Sequence, residues 1–311
     1  MRKTMLYIIF TLVVLTLAAC STTNQGDGNE VKVTAEATGN EPTTRVVQDV
    51  FGDVTIPIEP KNLLVLSSNY AENLIELGVI PSAVTLVEEI EPEYRPKLFT
   101  DHQVKMIPVE QYEDNFELIL EEAPDLIIAE GGAVDAKKYE ALSKIAPTVA
   151  VEAGVAIEEY VPVLGKLFNK EKEAEAALQE YSDKVEATKE KIQNAIGDEK
   201  ILVIRVEQKQ YRVLGTEKGS PGSDMLYHKL GLKIPTVLAD NKDWFTPMSL
   251  EILPELDADH IFVEQRQMQN YSSDQSMKDL ENSPLWKGMD AVKKGHVYPL
   301  KQQILLSVKV W

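Results

Sequence analysis

Arg205 stands inside the run Lys200-Ile201-Leu202-Val203-Ile204-Arg205-Val206, a strand-like stretch whose interior is otherwise apolar. A guanidinium there is costly unless its charge meets a partner. Two partners fit, an oxygen of a bound ligand or an internal carboxylate. A rigid fork of N–H donors can meet either one. Arg212, Arg266, Tyr70 and Trp244 occupy loops or strand ends, where α/β sheets bind ligands. Trp244, within Asp243-Trp244-Phe245-Thr246-Pro247, is expected on a loop that offers its ring to a cleft. Glu117 and Glu251 each lie in the first turn of an expected short helix, where the helix dipole favours a carboxylate.

Other chemistries find little support. His102, His228, His260 and His296 fall in no paired spacing, which disfavours a direct zinc or manganese site. Glu130-Gly131-Gly132 has neither the spacing nor the lysine of a phosphate loop, and no nucleophile elbow or paired-acid signature is visible. No cofactor is implied, and an enzyme on this architecture is the rival reading. The formal charge moves from -18 to -20 when Arg2 and Lys3, the only charges in the first twenty residues, are left out. Such a surface repels nucleic acid.

The single cysteine is Cys20. Arg2 and Lys3, the apolar Met5 to Thr16 and the small-residue stretch Leu17-Ala18-Ala19-Cys20 resemble the signal peptide and lipobox of a bacterial lipoprotein. The resemblance implies cleavage before Cys20 and acylation of that residue, leaving no free thiol and a lipid anchor on the outer face of the cell membrane. A Gram-positive surface is the expected setting.

Around the candidate residues the chain alternates strand and helix, which argues for parallel sheets. Residues 1–19 are read as signal peptide, 20–44 as a lipidated tether poor in apolar residues, 45–155 as a first α/β lobe, 156–197 as connecting helices and 198–311 as a second lobe. Within the connection, Ala174, Ala177, Leu178, Tyr181, Val185, Thr188, Ile192 and Ile196 form a three-and-four stripe. That spacing predicts one helix over 171–196, broken from a shorter one at Asn169 and stopped by Gly197. It is either a rod between two lobes or a crossover within one domain.

Two segments carry a family resemblance. Asn115-Phe116-Glu117-Leu118-Ile119-Leu120-Glu121-Glu122-Ala123-Pro124-Asp125-Leu126-Ile127-Ile128 and Met248-Ser249-Leu250-Glu251-Ile252-Leu253-Pro254-Glu255-Leu256-Asp257-Ala258-Asp259-His260-Ile261-Phe262-Val263 each give a short helix, a polar turn and a buried strand. With Ser143-Lys144-Ile145-Ala146-Pro147-Thr148 and Lys294-Gly295-His296-Val297-Tyr298, they resemble the iron-siderophore and cobalamin periplasmic-binding-protein family of ABC importers. The resemblance implies two Rossmann-like lobes joined by one long helix, a ligand cleft between them, a monomer, and docking of Glu117 and Glu251 on a permease. It implies a ferric siderophore ligand, hydroxamate or citrate-hydroxamate first and catecholate second, with cobalamin, haem or a bare metal ion as alternatives. Gln111 stands where some hydroxamate binders carry an arginine, so the cation is expected from the second lobe, with Arg205 first choice. The sequence stops at Trp311, short of the family's closing helix, and a curtailed second lobe is the expectation. A single stiff connection predicts small lobe rotation on binding.

Overall fold

The computed structural model describes residues 43–110, 115–151, 156–220, 222–268 and 271–301. Cys20, the signal peptide, Gln111 and the segment after Lys301 lie outside them. The chain enters through a hairpin of β1 (Thr44–Asp49) and β2 (Gly52–Pro57). Its turn closes on Asp49 Oδ1, which accepts from the amides of Phe51 and Gly52, and Gly52 supplies a φ of 134°.

The first lobe follows as β3 (Leu63–Val65), α1 (Ser68–Glu76), β4 (Ala83–Leu86), α2 (Tyr94–Asp101), β5 (Lys105–Pro108), α3 (Phe116–Glu121), β6 (Leu126–Glu130), α4 (Ala136–Ser143) and β7 (Thr148–Val151). Its five strands are all parallel, in the order β5-β4-β3-β6-β7. Strands 3, 4, 6 and 7 are apolar runs buried on both faces, as a sheet covered by helices on each side requires. Strand order reverses between β3 and β6, so the crossovers leave a crevice at the carboxyl ends of those two strands.

Two helices lead out, α5 (Ile157–Leu167) and α6 (Glu171–Ile196). The break falls at Asn169 with φ 55°, and Gly197 at φ 56° ends α6. At about 1.5 Å per residue α6 is about 39 Å long. The expected stripe is graded rather than uniform: Ala174 and Tyr181 are buried, while Ala177, Leu178, Val185, Ile192 and Ile196 are only half covered. The contacts of α6 therefore concentrate in its first half, against α5. Tyr160 of α5 packs on Tyr70 of α1, and its hydroxyl accepts from Asn73 at 3.1 Å. Lys229 fastens the same helix pair to the second lobe, donating to Glu158, Asp224 and the Tyr181 hydroxyl at 2.9–3.1 Å.

The second lobe contains β8 (Ile201–Glu207), β9 (Gln210–Leu214), β10 (Phe245–Met248), β11 (His260–Gln265), the short pair β12 (Gln267–Met268) and β13 (Tyr271–Ser272), helices α7 (Asp274–Asn282), α8 (Pro284–Gly288) and α9 (Asp290–Lys293), and β14 (Val297–Leu300). The sheet runs β10-β9-β8-β11-β14, parallel over β8, β11 and β14 and antiparallel at β9 and β10. One expectation is corrected here. The stretch after Trp244 is not a free loop but the edge strand β10, and Pro247 is tolerated because only one side of that strand is paired. Asp224–Lys229 form a π-turn, wider than an α-helical one.

Candidate ligand-binding cleft

The apolar run of β3 ends at Ser67, which is buried and caps α1 by accepting from the Tyr70 amide at 3.3 Å. Its hydroxyl donates to Glu130 Oε1 at 2.5 Å, from the end of β3 to the end of β6. This bond spans the switch point of the first sheet. Around it opens a cleft of about 1000 Å³, walled on the apolar side by Ile107, Val109, Phe116 and Ile119. Glu91, Glu110, Glu130 and Asp135 also line it, with Lys138. Asp135 is held as the cap of α4, accepting from the Lys138 amide at 2.7 Å.

Behind the cleft lies a buried guanidinium that the sequence reading did not single out. Arg95, 3% exposed, donates to Glu72 at 2.7 Å, Glu91 at 2.6 Å and Asn69 at 2.7 Å, and reaches Ser68 Oγ at 3.2 Å. Burial opposes its charge, but the two carboxylates more than offset that and raise its pKa. It braces the first turn of α1, whose Ser67, Ser68 and Asn69 line the cleft. The spacing of Glu91 and Arg95, one helical turn apart, was the available signal.

In the second lobe Arg212, Arg205 and Glu264 sit abreast on β9, β8 and β11. Arg205 is 2% exposed and gives Glu264 two hydrogen bonds, Nε to Oε2 at 2.7 Å and Nη2 to Oε1 at 3.1 Å. Burial pushes the Glu264 carboxyl up against the downward pull of Arg205. The guanidinium lies 3.6 Å from the centroid of Phe245 and 5.5 Å from that of Trp244. Of its two possible partners, Arg205 has the internal carboxylate. Arg212 and Arg266 share Glu207 Oε1 at 4.0 and 3.8 Å. Arg212 Nε and Trp244 Nε1 are buried without a hydrogen-bond partner among the described residues. Tyr70, expected at the cleft, is 3% exposed, its ring tilted at 38° to that of Tyr160 with centroids 5.1 Å apart, inside the packing of α1 on α5.

The carboxyl ends of the two sheets face one another. Lys301, just past β14, meets Glu93, in the connection between β4 and α2, at 2.5 Å. Glu117 and Glu251 are exposed, in first turns capped by Asn115 and Ser249. The histidines His260 and His296 stack at 4.7 Å by the amino ends of β11 and β14, away from the cleft. Among the described residues no cluster of three or more metal-ligating side chains occurs.

A sequence model described as periplasmic binding protein matches residues 63–304. The chain belongs to that family. The iron-uptake system-binding protein of Bacillus subtilis (strain 168) is 31% identical over 301 residues, covering 96% of this chain and 90% of the relative. The iron(3+)-hydroxamate-binding protein FhuD of the same organism is 31% identical, covering 93% and 87%. A FhuD fold-family component of a Fep/Fec-like ferrichrome ABC transporter from Bacillus subtilis superposes with TM-score 0.71 at 27% identity, over 85% of this chain and 93% of that one. Staphylococcus aureus SirA complexed with staphyloferrin B gives TM-score 0.67 at 28% identity, over 81% and 88%. The family consists of solute-binding proteins with two α/β lobes.

Proposed function

We propose that this protein captures a ferric siderophore outside the cytoplasmic membrane and delivers it to an ABC permease for iron uptake. The observation that carries the reading is the cleft of about 1000 Å³ at the switch point of the first sheet, in a chain whose relatives are named for iron uptake and iron(3+)-hydroxamate binding. Oxygen-rich ferric complexes match N–H donors such as Arg212 and Arg266 of the second lobe and apolar surface such as Phe116 and Ile119 of the first. The protein acts by binding and release, without catalysis and without a cofactor of its own, as a monomer. Cys20 carries the lipid anchor on the outer face of a Gram-positive membrane, and Glu117 and Glu251 dock on the permease.

Tryptophan-fluorescence titration of the chain from residue 21 tests this, with ferric hydroxamate, citrate-hydroxamate and catecholate complexes beside haem, cobalamin, zinc and manganese. Saturable quenching by a ferric hydroxamate is expected. A response to cobalamin, haem or bare metal alone overturns the assignment.

A further inference from the structure

We infer that Glu130 is a fixed acceptor for a cationic arm of the ligand, and that the cleft takes ferric complexes of zero or positive charge in preference to polyanionic ones. The inference rests on the ferric-siderophore reading and narrows it.

Glu130 ends β6 beside the switch point, half buried on the cleft wall. One carboxylate oxygen is tied by Ser67 at 2.5 Å, which fixes the group in place. The other, Oε2, has no hydrogen-bond partner among the described residues and is not sealed in the interior. A held carboxylate with one open oxygen at the ligand-binding crevice of an α/β sheet is suited to an ammonium or another strong donor.

The surrounding charges act in the same direction. Glu110 and Asp135 line the same cleft, against the single lysine Lys138. Arg95 adds no spare positive charge behind it, because Glu72 and Glu91 both claim its guanidinium. In the second lobe the arginines are largely committed as well, Arg205 to Glu264 and the pair Arg212 and Arg266 to Glu207. Those five groups leave a surplus of one positive charge, enough to orient the oxygens of a ferric trihydroxamate core that is neutral as a whole. A polyanion would gain at most that one favourable charge and meet the several unfavourable ones of the cleft lining.

Three ferrioxamine B derivatives with one ferric core and different arms test this: the free ammonium, the N-acetyl and the N-succinyl form. Affinities measured by tryptophan quenching are expected to fall in that order, with at least about a tenfold span from ammonium to succinyl, the range of one charge-assisted hydrogen bond. In E130Q, which can still accept from Ser67, the ratio of ammonium to acetyl affinity is expected to fall to about one. Equal affinities for the three arms, or tightest binding of the succinyl form, overturn the inference and leave the ferric-siderophore reading standing. No binding of any ferric complex, with a response to haem, cobalamin or zinc instead, overturns both. Should E130Q fail to fold, as its unliganded melting would show, the order in the unsubstituted protein decides alone.

Discussion

Arg205 and Glu264 form a bidentate pair on neighbouring parallel strands, at 2.7 and 3.1 Å, with both side chains at most 2% exposed. Removing one partner strands the other's charge in the interior, which costs about 3–5 kcal/mol, whereas replacing both with apolar groups is often neutral. R205M and E264L should each lower the denaturation midpoint sharply, and R205M/E264L should recover most of the loss. Urea melts of the four proteins measure this. Additive losses in the double variant would show that the two side chains do not act as a pair.

Gly165 sets how closely α5 and α6 approach. A Cβ built there lies 2.8 Å from the Ala174 Cβ and 3.1 Å from the Lys170 carbonyl oxygen. Alanine favours a helix over glycine by about 1 kcal/mol, but overpacking costs about 1–3 kcal/mol, and here the obstacle includes backbone. G165A should therefore destabilise the protein. A raised melting temperature would mean that the helix pair can yield.

The strands and the long helix were legible because burial imposes a period or a continuous apolar run, as in Leu126–Glu130 and Glu171–Ile196. The cleft was less so. Arg205 stood out as a charge in an apolar strand, but its partner lies 59 residues away, and nothing local marks Glu264 as that partner. Arg95 sits among Glu91, Glu93 and Tyr94, a run that reads as solvated surface, and only the fold brings Glu72 to it. For Tyr70 the sequence shows no inner or outer face, whereas in the fold position 70 falls on the side of its helix packed against Tyr160. Trp244 does lie on a loop, but that loop ends at once in the edge strand Phe245–Met248, which the proline at 247 hides from a sequence reading.

Asp257 should leave a signature in acid. Partial burial pushes its carboxyl up, but hydrogen bonds from Lys200 and from the amide and hydroxyl of Thr236 outweigh that and hold it down at about 2. The unfolded chain takes up this proton near pH 3.9, the folded one only near 2. The contribution is thus complete above about pH 4 and is lost as pH falls toward 2. The melting-temperature gap between the unsubstituted protein and D257N should be open at pH 5 and shrink by pH 2.5. A gap independent of pH would contradict the depressed value.

Glu117 and Glu251 present carboxylates on the outside of the two lobes, one from each, in first turns whose caps are already satisfied by Asn115 and Ser249. Neither lines the cleft of the first lobe, so their charges are free to serve a contact elsewhere. If they meet basic residues of a permease, reversing them replaces attraction by repulsion, which at an interface costs several kcal/mol. E117R and E251R should leave ferric-siderophore affinity unchanged, while uptake by cells carrying the cognate permease falls at least about tenfold. The double variant should be the more impaired, and raising ionic strength in a reconstituted assay should weaken docking of the unsubstituted protein more than that of the variants. Undiminished uptake in both single variants and the double would remove these glutamates from the docking surface and leave them as helix-capping charges alone.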